Sequence, residues 1–254
     1  MPQIIARALA ELPLASTIFL VLWLLSMIMV PIVKWIWGAG AERIGISAGV
    51  LFQVATVVAL LSVALPSPVV IALAFLIPTL GWLSEFAGCR TGIPFGPYSY
   101  TDVLQPQLGR VPVIIPLAWL MMMPPAWAVA ELLVGSARPL LFAATAGLAF
   151  TAWDLFLDPQ MVHWDFWRWH RRGRYFGIPL INFVGWFLVS AAITALIYAF
   201  LPITGLPLYA LLLMYAITWL LETIAQAFFW NLRGSAIAGF IAMGALVLAA
   251  STAL

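Results

Sequence analysis

Long runs of apolar residues alternate along this chain with short joins rich in proline, glycine or charge. A helix needs about 20 apolar residues to cross the hydrocarbon of a bilayer, whereas the strands of a membrane barrel show short alternating segments. The uncharged runs therefore predict transmembrane helices. We place eight spans, at residues 13–36, 46–65, 68–87, 113–134, 138–157, 179–201, 206–230 and 235–253.

Composition agrees with this pattern. Hydrophobic residues make up 65% of the sequence and charged residues only 8%, whereas about 25% of the residues in a soluble domain are charged. The predicted fold class is therefore all-α. It is a polytopic integral membrane bundle of seven or eight transmembrane helices, with residues 1–254 forming a single transmembrane domain.

The basic residues divide unevenly between the two ends of the predicted spans. With eight spans, nine of the 11 Lys and Arg residues fall on one side, and Arg7 and Arg138 fall on the other. Loops that carry an excess of Lys and Arg face the cytoplasm. We therefore expect the long loops at 88–112 and 158–178 to be cytoplasmic, both termini to lie outside, and the chain to reside in the inner cytoplasmic membrane. The net charge of +2 then reflects orientation and not nucleic-acid binding.

Carboxylic acids gather near the side that carries the basic loops. Glu85, Asp154 and Glu222 fall within predicted spans, where charged residues are costly and usually face a cavity or a partner. Asp158 follows Asp154 by four residues, so the two share a helix face if the helix continues that far. Two such carboxyls cannot both ionise easily in a poorly hydrated place, which provides a general acid beside a general base. Pairing with loop arginines at the headgroup level stays open for Asp158 and Asp165.

Aromatic residues crowd the same side. Trp153, Trp164, Trp167 and Trp169 surround the loop after the fifth span, and an interfacial aromatic belt accounts for part of this pattern. Aromatic faces can also stabilise a cation or line an apolar tunnel. The loop at 88–112 has about 25 residues, which exceeds the usual connection length and indicates a folded functional loop.

Several kinds of site are excluded by residue counts. The single cysteine, Cys89, rules out an internal disulfide and any multi-cysteine metal site. The two histidines, His163 and His170, are too few for a membrane di-iron oxygenase, and we expect no bound metal. Asp154 and Asp158 nevertheless leave open a membrane prenyl or lipid transferase that uses magnesium. The intramembrane acids also leave open a proton-coupled transporter of lipids or small molecules.

Four segments of the chain carry a distinctive set of motifs: EFAGCRTGIPFGPYSYTD at 85–102, VPVIIPLAW at 111–119, WDLFLDP at 153–159 and YFGIPLINFVGW at 175–186. In this order and spacing they resemble the membrane carotenoid biosynthesis protein family, which includes carotenoid hydratases. The resemblance implies a cofactor-independent hydro-lyase that adds water to the terminal isopropylidene double bond of an acyclic carotenoid end, giving a tertiary alcohol. The matching motif positions are Glu85, Thr91, Tyr98, Tyr100, Asp102, Asp154, Asp158, Trp164 and Asn182.

Acid-catalysed hydration suits these residues, because it needs a proton donor, a surface that shields a tertiary cation, and a base that orients water. We predict Asp154 as the proton donor and Glu85 or Asp158 as the water-side base. Asp102 and Glu222 complete the candidate catalytic set. The candidate substrate-binding residues are Thr91, Tyr98, Tyr100, Trp119, Trp153, Trp164, Asn182 and Trp186. The expected partners are a carotenoid, the lipid bilayer and water as co-substrate, with other carotenoid-pathway enzymes as candidates and no nucleic acid.

Overall fold

The structure, a computed structural model, describes residues 2–253, and most of these residues are helical. Eight of the described helices are long and apolar enough to cross a membrane, which confirms the predicted all-α polytopic bundle. They are α2 (Leu14–Trp37), α3 (Ala39–Ala64), α4 (Ser67–Thr91), α5 (Ile114–Val134), α6 (Pro139–His163), α7 (Leu180–Phe200), α8 (Leu208–Ile224) with the π-helix Ala225–Phe229 that continues it, and α9 (Arg233–Thr252). A short helix that the sequence did not predict, α1 (Pro2–Ala10), precedes them.

Several helices extend beyond the predicted spans, so the long loops are shorter than expected. Helix α3 begins at Ala39 instead of residue 46, α4 continues to Thr91, and α6 continues to His163. At the start of α3, Lys34 pairs with Glu42 over 2.9 Å across the turn at Gly38. The added turns are more polar than the spans because hydropathy marks the hydrocarbon layer, and a helix can continue past it.

Helix α6 passes through Pro159 without ending. A proline has no N–H, so the carbonyl four residues earlier loses its helical donor. That carbonyl belongs to Leu155, and it accepts hydrogen bonds from the hydroxyls of Tyr175 (2.7 Å) and Ser235 (2.8 Å). These two side chains satisfy the freed carbonyl. Asp158 therefore lies inside the helix, on the same side as Asp154.

The two long loops meet at one end of the bundle through a short β ladder. Strand β1 (Tyr98–Tyr100) pairs antiparallel with β4 (Trp167–Trp169). A second, smaller pair joins β2 (Gln107–Leu108) and β3 (Val111–Pro112) within the first loop. The ladder between β1 and β4 shows that both loops lie on the same side of the bundle, as the distribution of basic residues predicted.

Helices α5 and α6 form the inside of the bundle. In their most apolar stretches, 67% and 56% of the residues are buried, against 28–39% in the other six spanning helices. The other spanning helices expose large apolar side chains such as Ile71, Phe75 and Leu188, as expected for surfaces that face lipid. The acids on α6 are therefore carried by a central helix.

Two glycines of α4 allow aromatic side chains to approach its backbone. A Cβ at Gly81 would lie 2.7 Å from Trp119, and a Cβ at Gly88 would lie 2.6 Å from Phe95. Both distances are shorter than van der Waals contact. The absence of side chains at these positions lets α5 and the first loop pack directly against α4 beside Glu85.

Candidate active site

A cavity of about 560 Å³ lies inside the bundle near the end that carries the two long loops. Its walls come from α2 to α8 and from both loops, and they are mostly apolar. Three carboxylic acids line it: Glu85 of α4, Asp158 of α6 and Glu222 of α8. Each is more than nine-tenths buried. Small-molecule sites commonly have this size and this combination of apolar walls with a few polar groups.

Glu85 accepts hydrogen bonds at both of its carboxylate oxygens. Tyr100 donates to Oε2 over 2.9 Å, and the hydroxyl of Tyr98 donates to the same oxygen. The indole N–H of Trp119 donates to Oε1 over 3.3 Å. A carboxylate loses its hydrogen bonds to water when it is buried, and these three uncharged donors replace them.

The two tyrosines reach the same carboxylate because they are alternate residues of β1. Side chains two apart on a strand point to the same face. Ser99, between them, is exposed, and its hydroxyl lies 3.2 Å from Nε2 of His170. Burial, and then the nearby charge of Glu85, raises the pKa of Tyr98 and of Tyr100 well above the usual value. Both phenols therefore remain protonated and available as donors.

Asp158 also accepts three hydrogen bonds. The indoles of Trp167 and Trp169, alternate residues of β4, donate to Oδ1 over 2.6 and 3.2 Å. The amide of Asn182 on α7 donates to Oδ2 over 2.6 Å. Indole N–H groups can only donate, so Oδ1 of Asp158 accepts both of these hydrogen bonds.

Asp154 lies one helical turn before Asp158 and is fully buried. The amide of Asn182 donates to its Oδ2 over 2.9 Å, so one amide joins the two carboxyls. The other oxygen, Oδ1, has no hydrogen-bond partner among the described residues. Asp154 is not part of the cavity lining and is connected to it through Asn182.

The β ladder joins the surroundings of the two acids into one layer. Tyr98 stands opposite Trp169, and Tyr100 stands opposite Trp167. Their rings are in contact, with centroids 5.1 Å apart in the first pair and 5.8 Å apart in the second. We call these four side chains the aromatic roof. The roof residues of β1 donate hydrogen bonds to Glu85, and those of β4 donate hydrogen bonds to Asp158.

A stack of aromatic rings forms part of the cavity wall next to the roof. Trp119 and Trp186 are nearly parallel, with centroids 4.9 Å apart, and Phe150 stacks on both at 4.8 and 5.4 Å. Trp153 meets Trp186 edge to face at 6.2 Å. Such ring faces carry negative electrostatic potential and attract a cation.

Glu222 has fewer hydrogen bonds than the other two acids of the cavity. Its described hydrogen bond comes from Gln226 over 3.3 Å. Gln226 is itself fixed, since it donates to the carbonyl of Phe156 over 2.8 Å and its Oε1 lies 2.5 Å from the hydroxyl oxygen of Ser235. Glu222 thus faces the cavity with acceptor capacity that the described residues do not fill.

The structure brings most of the predicted site residues to this one cavity. Those that line it are Glu85, Asp158, Glu222, Tyr98, Tyr100, Trp119, Trp153, Trp164, Asn182 and Trp186. Thr91 and Asp102 do not. Thr91 is exposed at the end of α4, where its hydroxyl donates to the carbonyl of Ala87 over 2.8 Å. Asp102 is exposed in a cleft on the outer face of the loops, beside Asp165 and Arg168.

The prediction did not assign Trp167 and Trp169 to the site, although both bond Asp158. The signal was present in the sequence as the alternating triplet WRW at 167–169, which matches YSY at 98–100. Both triplets have aromatic side chains at the first and third positions. This period of two is the signature of a strand with one buried face.

Asp158 and Asp165, for which the sequence left pairing with loop arginines open, have different partners in the structure. Asp165 pairs with Arg168 over 2.6 Å, and its hydrogen bond to that arginine lowers its pKa. Asp158 instead takes its hydrogen bonds from uncharged side chains. In the described part of the chain, no group of three or more His, Cys, Asp or Glu side chains is arranged to hold a metal ion.

Eight apolar helices, seven of which line an interior cavity, define a multi-pass membrane protein. Residues 44–249 match the sequence model of a family described as carotenoid biosynthesis protein. The chain belongs to this family, which confirms the resemblance seen in the motifs. It is similar to the bisanhydrobacterioruberin hydratase of Haloarcula japonica, with 33% identity over 123 residues that make up 46% of this chain and 40% of that relative. The chain thus spans less than half the length of the curated relative it matches. No solved structure matches it.

Proposed function

We propose that this protein is a carotenoid hydratase. It adds one water across the terminal isopropylidene double bond of an acyclic carotenoid end group and gives a tertiary alcohol. The observation that carries the proposal is the pair of buried carboxyls, Glu85 and Asp158, on one apolar, aromatic-walled cavity. Membership of the carotenoid biosynthesis family and similarity to a hydratase support the substrate class and the reaction.

The first step is protonation of the alkene. Asp158 lines the cavity, whereas Asp154 is connected to it through Asn182. We therefore assign delivery of the proton to Asp158, one helical turn beyond the donor predicted from the sequence, and assign to Asp154 a positioning role through the amide of Asn182 that both carboxyls bind. The O–H bond of Asp158 breaks, and the alkene electrons form a C–H bond at the less substituted carbon. The positive charge develops on the tertiary carbon.

The second requirement is to shield this cation until water attacks. The stacked indole rings of Trp119 and Trp186 form part of the cavity wall. Cation–π attraction stabilises the charge and leaves the carbon free to react. The apolar lining admits little water, which limits side reactions of the cation.

The third step is attack by water. Glu85 orients a water molecule and accepts one of its protons as the oxygen bonds to the tertiary carbon. Tyr98 and Tyr100 hold the carboxylate in place during this transfer. A proton then returns through cavity water from Glu85 to Asp158. The cycle consumes one water and involves no net oxidation or reduction.

We further propose that the reaction takes place at the cytoplasmic face of the cell membrane, because loops that carry an excess of basic residues face the cytoplasm. Water reaches the acids from the loop side, while the polyene stays in the hydrocarbon. This location suits a reaction between water and a substrate that is insoluble in it. Tagging each terminus with a reporter that is active on one side of the membrane tests the sidedness.

The test is expression of the chain in a bacterium engineered to make lycopene or γ-carotene, followed by chromatography of the pigments with mass detection. We expect a new, more polar pigment that is heavier by one water. Asp158→Asn and Glu85→Gln should lose this product, and the exposed Asp102→Asn, as a matched carboxyl control, should keep it. Unchanged pigments beside membrane-inserted wild-type protein, also with longer acyclic carotenoids, would contradict the proposal.

Chelation separates this reaction from the transferase that the Asp154–Asp158 pair left open. A hydratase that uses only side chains retains its rate when EDTA is added to washed membranes. A transferase that binds magnesium pyrophosphate loses its activity under the same treatment and gives a product with a larger mass increase. Loss of activity on chelation, or a product with the larger mass increase, would count against acid-catalysed hydration.

A further inference from the structure

The cavity reaches the outer surface of the bundle on one side. Among the described residues that line it, those with largely exposed side chains are Ile28, Trp35, Ile224 and Phe229, with exposed fractions of 51%, 68%, 47% and 42%. The first two belong to α2 and the last two to the segment 208–229. The cavity therefore opens between these two membrane-spanning segments. We call this opening the side mouth.

The position of the side mouth decides what it faces. Both of its edges are helices long and apolar enough to cross a membrane, so the opening lies in the side of the bundle and not at its end. Its four exposed residues carry no charged or hydrogen-bonding group apart from the indole N–H of Trp35. Such an opening admits an apolar molecule from within the bilayer and offers nothing to a polar one.

Two aromatic rings meet across the side mouth. The centroids of Trp35 and Phe229 are 5.5 Å apart, with the ring planes inclined at 47°. Phe229 ends the π-helix Ala225–Phe229, and Trp35 lies in the last turns of α2 before Gly38. Single π-helical turns are rare and frequently occur at functional sites. The contact joins two segments at their loop ends, where a small displacement widens the opening.

We propose that the side mouth is the binding site for the unreacted polyene of the substrate, and that the carotenoid end reaches the acids through it. The identity of this ligand rests on the proposed hydratase function. A cavity of about 560 Å³ holds an end group, whereas the rest of a carotenoid is much longer and has to leave the cavity. The side mouth gives it a path into the bilayer, with the polar acids and the aromatic roof at the inner end.

A reversible crosslink tests the path. The single cysteine is first replaced (Cys89→Ser), and cysteines are then introduced by Trp35→Cys and Phe229→Cys. A short bis-methanethiosulfonate reagent joins the pair, and dithiothreitol releases it. The matched control is Trp219→Cys with Phe240→Cys, because these rings also meet between neighbouring helices, with centroids 5.0 Å apart, but do not line the cavity.

We expect the crosslink at the side mouth to lower hydration of lycopene in proteoliposomes by about tenfold or more, as for closure of a substrate gate. It should also lower the lycopene retained by the purified protein, and reduction should restore both. The control crosslink should change neither. A fully crosslinked mouth with unchanged rate and unchanged lycopene retention overturns the proposal, as does a crosslink that displaces only a co-purifying lipid.

A second pair of variants avoids the crosslink. Ile28→Trp fills the side mouth, while Ile18→Trp adds the same bulk to an equally exposed position of α2 away from the cavity. We expect only the first to reduce lycopene retention. Retention that depends on the mouth in a wild-type protein without hydratase activity would support the binding site and reject the proposed function. A wild-type protein that neither retains nor hydrates lycopene rejects both.

Discussion

Glu85 and Asp158 line the same cavity and each accept three hydrogen bonds, yet their donors differ. Two of the three donors to Glu85 are phenols, whereas Asp158 receives two indole N–H groups and an amide. A phenol hydroxyl can both donate and accept, so it can join a chain of water molecules. An indole or amide N–H can only donate. The surroundings of Glu85 therefore suit a group that handles water, and those of Asp158 suit a group held in one orientation toward the substrate.

The strongest test of this comparison is Asp158→Asn. If Asp158 delivers the proton, its amide variant should lose hydratase activity by about 10³-fold or more, at the upper range of general acid catalysis. Initial rates in membranes matched for protein content measure the effect. Asp154→Asn should cost less, because Asn182 and Asp158 remain in place. A larger loss for Asp154→Asn would assign proton delivery to Asp154 instead.

Glu85→Gln should cost about 10²-fold and should leave a distinct trace. With Asp158 intact, the alkene is still protonated, but the cation lacks a base-oriented water and returns its proton. In heavy water, the recovered substrate of Glu85→Gln should therefore gain deuterium, whereas that of Asp158→Asn should not. Mass spectra of the recovered pigment measure this. Deuterium in the substrate recovered from both variants, or from neither, would contradict the proposed roles of the two acids.

The phenols of the aromatic roof should contribute less than either acid. Removing one hydrogen bond to a charged group costs about 1.5 kcal/mol or more, so we expect Tyr98→Phe and Tyr100→Phe each to lower kcat/KM by about tenfold. Because the pKa of both tyrosines is raised, neither phenol should ionise near pH 10. The activity of the wild-type protein and of the phenylalanine variants should therefore depend on pH in the same way near pH 10. A decline in activity that is present in the wild-type protein and absent from a phenylalanine variant would show that the replaced phenol titrates during turnover.

The smallest effect should come from the outer face of the roof. Asp165 pairs with Arg168 in solvent, and exposed ion pairs stabilise a protein by about 0–1 kcal/mol. Asp165→Asn should therefore change the hydration rate by less than about twofold. The same rate measurement applies. A large loss would mean that the outer face of the loops takes part in the reaction as well.

Hydropathy predicted the spans because apolar runs report directly on the hydrocarbon layer. It did not predict the ends of α3, α4 and α6, since those turns lie where polar residues are allowed. The continuation of α6 through Pro159 depends on hydroxyls from Tyr175 and Ser235. Their approach to the freed carbonyl is a matter of tertiary packing that no local pattern contains.

The acids of the cavity could be found from sequence because a carboxyl within an apolar run requires an explanation. The role that we propose for each acid could not be predicted in this way. That Asp158 rather than Asp154 lines the cavity depends on how α6 packs against its neighbours, which no local pattern contains. The roles of Trp167 and Trp169 depend on pairing with a strand formed almost 70 residues earlier, and such long-range pairing leaves only a weak local signature.

The ladder between β1 and β4 also bears on how the chain is inserted into the membrane. Two spanning helices, α5 and α6, separate the paired strands. If either helix failed to insert during synthesis, the strands would emerge on opposite sides of the bilayer and could not meet. Glu85 would then lack the partner strand that completes its roof, and Asp158 would lack its indole donors. The ladder thus forms only when both central helices are inserted, so the surroundings of the two acids remain incomplete in a misinserted chain.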